Sequence, residues 1–190
     1  MGTRNLICVM KDNEYKVAQY GQWDGYLDGQ GANILKFLTT YDKEKFLNNL
    51  DKYVRFGTKE ELDEEWKQQE LYPELSRDTG SEILKIIQKT KKNLLLSNSI
   101  DFAADSLFCE YAYVIDFDKN TFEVYKGFNH VFLDSTERFA FLVKKSEDEH
   151  ILDKLTGDIE DYFPVKFLKS FDLDSLPNRE DFLNECKEEM

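Results

Sequence analysis

The sequence predicts a single α+β domain over residues 1–190. Antiparallel β-hairpins from its N-terminal and C-terminal halves form one sheet or two stacked sheets flanked by helices. Three observations carry that prediction. An apolar run from Thr3 to Met10 and an alternating run from Tyr15 to Tyr20 flank a turn-forming Lys11-Asp12-Asn13-Glu14. A second pair of alternating runs, Cys109 to Phe117 and Thr121 to Tyr125, flanks Asp118-Lys119-Asn120. Between the two hairpins, apolar residues recur at helical spacing.

Taken in order, the first strand has Leu6, Ile7, Cys8, Val9 and Met10 apolar on both alternating faces, as a strand covered above and below requires. A loop with four glycines follows, running from Gln19 to Gly31. A helix then places Ile34, Leu35, Leu38 and Tyr41 on one face. The next begins at Asp42 as N-cap and turns Phe46, Leu47, Leu50, Tyr53 and Val54 inward, with Gly57 ending it. Thr58 and Glu61 have capping-box spacing, opening an acidic helix around Trp66 that Pro73 interrupts. Such a charge run reads first as a solvated face and secondarily as a patch mimicking phosphate charge. Ser81 starts a helix with Ile83, Leu84, Ile86 and Ile87 as its apolar stripe, and Lys89, Lys91 and Lys92 complement its C-terminal dipole.

After the second hairpin, Arg138 to Val143 is apolar but fits helix or strand equally. Ile151 to Leu155 reads as helical. Tyr162 to Phe171 reads as a strand with Pro164 at its start, where a missing N–H does least harm. Pro177 precedes a last amphipathic helix containing Phe182 and Leu183.

Composition excludes several function classes. A formal net charge of −13 repels phosphates and anionic lipid, so direct nucleic-acid or membrane binding through a basic face is not expected, whereas a basic protein partner is favoured. The three cysteines Cys8, Cys109 and Cys186 form no CxxC pair, so neither a zinc ribbon nor a redox motif is expected. No apolar run reaches membrane-spanning length and no signal segment follows Met1, so a soluble, cytoplasmic protein is expected. His130 and His150 read as structural and surface residues, respectively, and no cofactor or metal is expected. Asp24 and Asp28 lack calcium-loop spacing.

Recognition chemistry concentrates in the loop Gln19-Tyr20-Gly21-Gln22-Trp23-Asp24-Gly25-Tyr26-Leu27-Asp28-Gly29-Gln30-Gly31. Tyr20, Trp23 and Tyr26 can stack on a planar ligand or anchor a partner, with Gln19, Gln22 and Gln30 reading polar edges and Asp24 adding charge. Alternatively, Trp23 plugs the core while the glutamines tie down loop carbonyls. A strand-to-helix junction is a frequent location for sites.

Two resemblances attach to these residues. Thr3-Arg4-Asn5-Leu6, the run Val17 to Tyr26, Gly29-Gln30-Gly31 and the Glu110 to Asp116 strand resemble stretches of small uncharacterised proteins of low-GC bacteria and their phages. That resemblance implies a setting in which a protein blocks a host defence by binding. The order of Gly2-Thr3, strand, hairpin and polar loop also resembles the start of N-terminal nucleophile hydrolases. This implies a four-layer fold with Thr3 as nucleophile after processing, aided by Asn5, Asp24 or Lys16. Three functions are therefore carried forward: a non-catalytic binder using the Gln19–Gly31 loop, an amidohydrolase using Thr3, and a binder of a nucleotide-like ligand.

Overall fold

A computed structural model describes residues 2–62, 75–143 and 162–189. The first strand, β1 (Asn5–Lys11), turns through Asp12 and Asn13, both left-handed with φ of 58° and 59°, into β2 (Glu14–Gly21). Two consecutive left-handed residues make the tight turn that matches strand twist, and Asp and Asn tolerate that conformation best among non-glycine residues. The second hairpin joins β5 (Tyr111–Asp116) to β6 (Thr121–Lys126), with Asn120 left-handed at φ 57°. Its Asp118 carboxylate accepts the amides of Asp12 (2.9 Å) and Asn13 (2.8 Å), which clamps the two hairpin turns together.

The hairpins share one five-stranded sheet in the order β2-β1-β5-β6-β7, where β7 is Lys166–Asp172. Every neighbour is antiparallel except the central pair. There β1 runs parallel to β5, with Asn5 opposite Tyr111 and Met10 opposite Asp116. A parallel joint needs a crossover connection, and the intervening chain supplies it. It contains α1 (Ala32–Leu38), α2 (Lys43–Tyr53), β3 (Val54–Phe56), α3 (Glu82–Lys89) and β4 (Leu94–Leu96), with β3 and β4 pairing in a small parallel sheet of their own. The chain's last described helix is α4 (Arg179–Glu188), N-capped by Asn178, whose side-chain oxygen accepts the amides of Glu180 and Asp181.

Alternation along the strands sorts two cores. Ile7, Val9, Tyr113, Ile115, Phe122 and Val124 meet the helices on one face. Leu6, Cys8, Ala112, Val114 and Tyr125 face Leu133, Phe139, Leu142 and Val165 on the other. The result is a single α+β domain whose sheet is covered on both sides, as the two-faced apolar strands predict.

Several local expectations are refined. Asp42 caps α2 by accepting the Lys45 amide at 3.0 Å, and Thr58 and Glu61 make the reciprocal capping-box bonds. The second helix ends at Tyr53, however, and Val54 belongs to β3 because its backbone pairs with Leu94. Arg138 to Val143 is not a strand; it holds a short 3-10 turn at Ala140–Leu142, and Val143 takes helical backbone after it. The segment Asp63 to Pro73, with Trp66, and the helix expected at Ile151 to Leu155 lie outside the described residues, as does His150. Among the described residues, no helix is long and apolar enough to cross a membrane.

Candidate functional site

The Gln19–Gly31 loop leaves the end of β2 and enters α1 through a five-residue π-type turn, Leu27–Gly31. Its shape is set by close approach more than by glycine dihedrals. Asp24, not a glycine, takes the left-handed position at φ 54°. Gly25 sits where an added Cβ would meet the Thr3 and Arg4 carbonyls at 2.8 and 3.0 Å, and at Gly29 the same atom would run into the Asp24 carbonyl. Only a residue without Cβ lets these backbones come so close.

The loop is tied from both sides. Towards the N-terminus, the Gly25 amide donates to the Thr3 carbonyl at 2.9 Å. The buried Asn5 amide nitrogen donates to the carbonyls of Gly21 (3.3 Å) and Trp23 (3.2 Å). From beneath, the Tyr113 hydroxyl donates to the Gly25 carbonyl at 2.8 Å, and burial pushes that phenol far above its ordinary pKa, so it remains a donor. From the side, the turn before α3 buttresses the loop. Gln22 N–H donates to the Arg77 carbonyl at 2.9 Å, and Gln19 Nε2 donates to the Ser76 carbonyl at 3.3 Å. Gln30 bridges the two segments, donating to the Trp23 carbonyl at 3.2 Å and accepting the Ser81 amide at 2.8 Å.

Two of the three glutamines therefore tie down carbonyls, while Gln22 accepts the Tyr20 hydroxyl at 2.6 Å. The core-plug alternative for Trp23 does not hold. Trp23 is 48% and Tyr26 52% exposed. The Trp23 indole N–H donates to Asp78 Oδ1 at 2.8 Å and its ring lies over Gly2, while Tyr26 meets Tyr111 edge-on at 6.5 Å. Tyr20 is half-buried against the edge of Phe102. The loop thus hides its polar amides in its own scaffold and presents two large rings. Asp24 and Asp28 are exposed beside them, with no side-chain partner among the described residues.

The residues of the hydrolase reading are only partly assembled. Thr3 is 3% exposed and its nitrogen is in peptide linkage to Gly2. Asn5 and Asp24 lie near it through the bonds just described, but Lys16 pairs with Glu14 at 2.7 Å near the hairpin turn, at the other end of β2. Among the described residues, no group of three or more His, Cys, Asp or Glu side chains is arranged to hold a metal. His130 packs on Tyr162 with ring centroids 4.5 Å apart. A cleft of about 510 Å³ opens beside Asp28, lined also by Asn33, Lys36, Thr39, Asn178 and Arg179.

Sequence reasoning missed a second polar centre, on the sheet face opposite the α-helices. Arg138, its side chain only 7% exposed, donates from Nη2 to Asp116 (2.5 Å) and Glu123 (2.8 Å) and from Nε to Glu123 (2.7 Å). The Tyr125 hydroxyl donates to Glu123 at 2.6 Å. Burial alone would raise both carboxyls; the Arg138 bonds outweigh it and hold both below the usual range. Two carboxylates inside strands otherwise apolar on both faces were the available signal. This centre joins the 134–143 segment to β5 and β6, and the Asp118 and Lys119 amides and the Thr121 hydroxyl supply further bonds to its carboxylates.

A scan against protein-family models finds no match, and searches of curated proteins and of solved structures find none either.

Proposed function

We propose that the chain is a non-catalytic binding protein that holds a basic protein partner through the Gln19–Gly31 loop. One observation carries the reading. Trp23 and Tyr26 stand half-exposed on a loop whose three glutamine side chains are already bonded within the protein. A pre-organised loop loses little entropy on docking, and exposed Trp and Tyr are the residues most often found as binding anchors. Asp24 and Asp28 and the net charge of −13 supply complementarity to a cationic surface. The resemblance to small bacterial and phage proteins adds a setting, so a host defence or nucleic-acid-handling protein is the proposed partner class.

The test immobilises the purified chain, exposes it to lysate of the cells it comes from, and compares wild type with Trp23→Ala. A basic protein retained by wild type, lost in the variant and released as salt rises supports the reading. Retention indifferent to both the substitution and salt would overturn it.

A further inference from the structure

Among the described residues, one end of the five-stranded sheet gathers most of the large exposed aromatic rings. There β2 and β6 finish and β1, β5 and β7 begin, as the pairings of Asn5 with Gly21 and Tyr111, and of Lys126 with Tyr111 and Lys166, require. Trp23 and Tyr26 follow β2, Phe108 precedes β5, and Phe128 and Phe132 follow β6; all five are exposed.

Their loops form one connected shelf. Thr3 holds Gly25, the Glu110 amide donates to Arg4, the Gly127 amide to Glu110, and the Phe128 amide to Ser106. Beyond them, the Phe163 amide donates to the Asn129 carbonyl at 2.8 Å. The Arg4 guanidinium lies 4.9 Å over the Phe108 ring and holds it in place on the shelf.

Phe128 is the decisive residue. Its backbone is left-handed at φ 54°, a conformation that a bulky side chain adopts only at a cost. Its ring is 46% exposed and makes no aromatic or cation contact among the described residues, so folding gains little in return. Glycine or asparagine would suit that backbone better. Strain held at an exposed aromatic is understandable when the ring's contacts are made with something else. Asp24, the other left-handed non-glycine at this end, stands between Trp23 and Tyr26.

We propose that this whole end of the sheet, from Trp23 and Tyr26 across Phe108 to Phe128, is one docking surface for a basic protein. The inference rests on the loop-binding reading above and extends it to the β5 and β6 loops. Charge selects the occupant. A second copy would bring another −13 against this one, and an anionic membrane would be repelled likewise, whereas a cationic protein is drawn in.

The test places the photo-crosslinking amino acid p-benzoylphenylalanine at position 26, 128 or 13 of the full chain, expressed in the cells it comes from. Asn13, in the first hairpin's turn at the opposite end of the sheet, is the control. Adducts are identified by mass spectrometry. The expected result is the same basic polypeptide at 26 and 128, none at 13, and loss of both adducts in high salt. An adduct at 26 without one at 128 would refute the extended surface and leave the loop reading standing. No adduct at either position refutes both, and an adduct of twice the chain's own mass makes the occupant a second copy. In parallel, Phe128→Gly should melt no lower than wild type while binding the crosslinked protein about tenfold or more weakly. A melting point that falls with binding unchanged would assign Phe128 to the fold instead.

Discussion

Arg138→Met tests the buried ion centre most severely. The substitution keeps an unbranched apolar stem for packing but removes the one cation that, among the described residues, pairs with Asp116 and Glu123. Wild type sets three charge-assisted bonds of 2.5–2.8 Å against the desolvation of three charges. Removing one member of such a centre leaves uncompensated buried charge and costs about 3–5 kcal/mol. At roughly 2–4 °C per kcal/mol for a domain of this size, the melting temperature should fall by about 6–20 °C at pH 7.

The pH dependence should change sign as well. In wild type both carboxyls titrate below their unfolded values, so their contribution is present above the unfolded pKa near 4 and is lost as pH falls through the depressed folded values. Without Arg138, the Tyr125 and Thr121 hydroxyls still hold Glu123 and the Asp118 and Lys119 amides still hold Asp116, but burial is the larger influence and should raise both folded values above the unfolded ones. Protonation then relieves the folded state first, and the deficit relative to wild type should shrink from pH 7 to pH 5. Urea denaturation of both proteins at the two pH values measures this. A deficit under about 1 kcal/mol at pH 7, or one that is the same at both, would refute the reasoning.

Three further outcomes are expected. Tyr113→Phe removes the hydroxyl that holds the Gly25 carbonyl, and should cost about 1–3 kcal/mol in denaturant titration, with faster hydrogen exchange in residues 22–31. Cys8, Cys109 and Cys186 are all free and buried; burial pushes the Cys186 thiol up to about 12 and raises the other two. A thiol reagent at pH 8 should therefore react slowly with the native chain and label three cysteines once it is unfolded. Glu61, bonded by Arg55 and by the Thr58 amide, should titrate at about 2 by carboxyl carbon chemical shift, and Arg55→Gln should bring it back towards the ordinary carboxylate range.

How much of this was legible in the sequence follows from the range of each interaction. The hairpins were, because their alternation and turn residues are local: Asp12-Asn13 and Asn120 sit where left-handed backbone is needed. The parallel joint of β1 to β5 was not, since it pairs residues about a hundred positions apart and leaves no periodic trace. The pairing of β3 with β4 escaped because three-residue strands are too short to alternate. In the loop, the concentration of aromatic and amide side chains was legible but their orientation was not. Glutamines can read a ligand or hold a carbonyl with the same atoms, and only the neighbouring 76–81 turn decides. The Arg138 centre was hidden for a related reason: Asp116 and Glu123 each look like an interruption until the chain returns at 138 to pair with both.

The central claim is that Trp23 serves recognition more than folding. The direct measurement is Trp23→Ala, followed in parallel by denaturant stability and by affinity for the basic protein retained on the wild-type chain. The account predicts a stability loss of no more than about 1–2 kcal/mol, the half-exposed ring and its Asp78 bond being all that is given up, with affinity down about tenfold or more. A loss of about 3–5 kcal/mol, as for a core aromatic, with unchanged affinity in the fraction that remains folded, would contradict it.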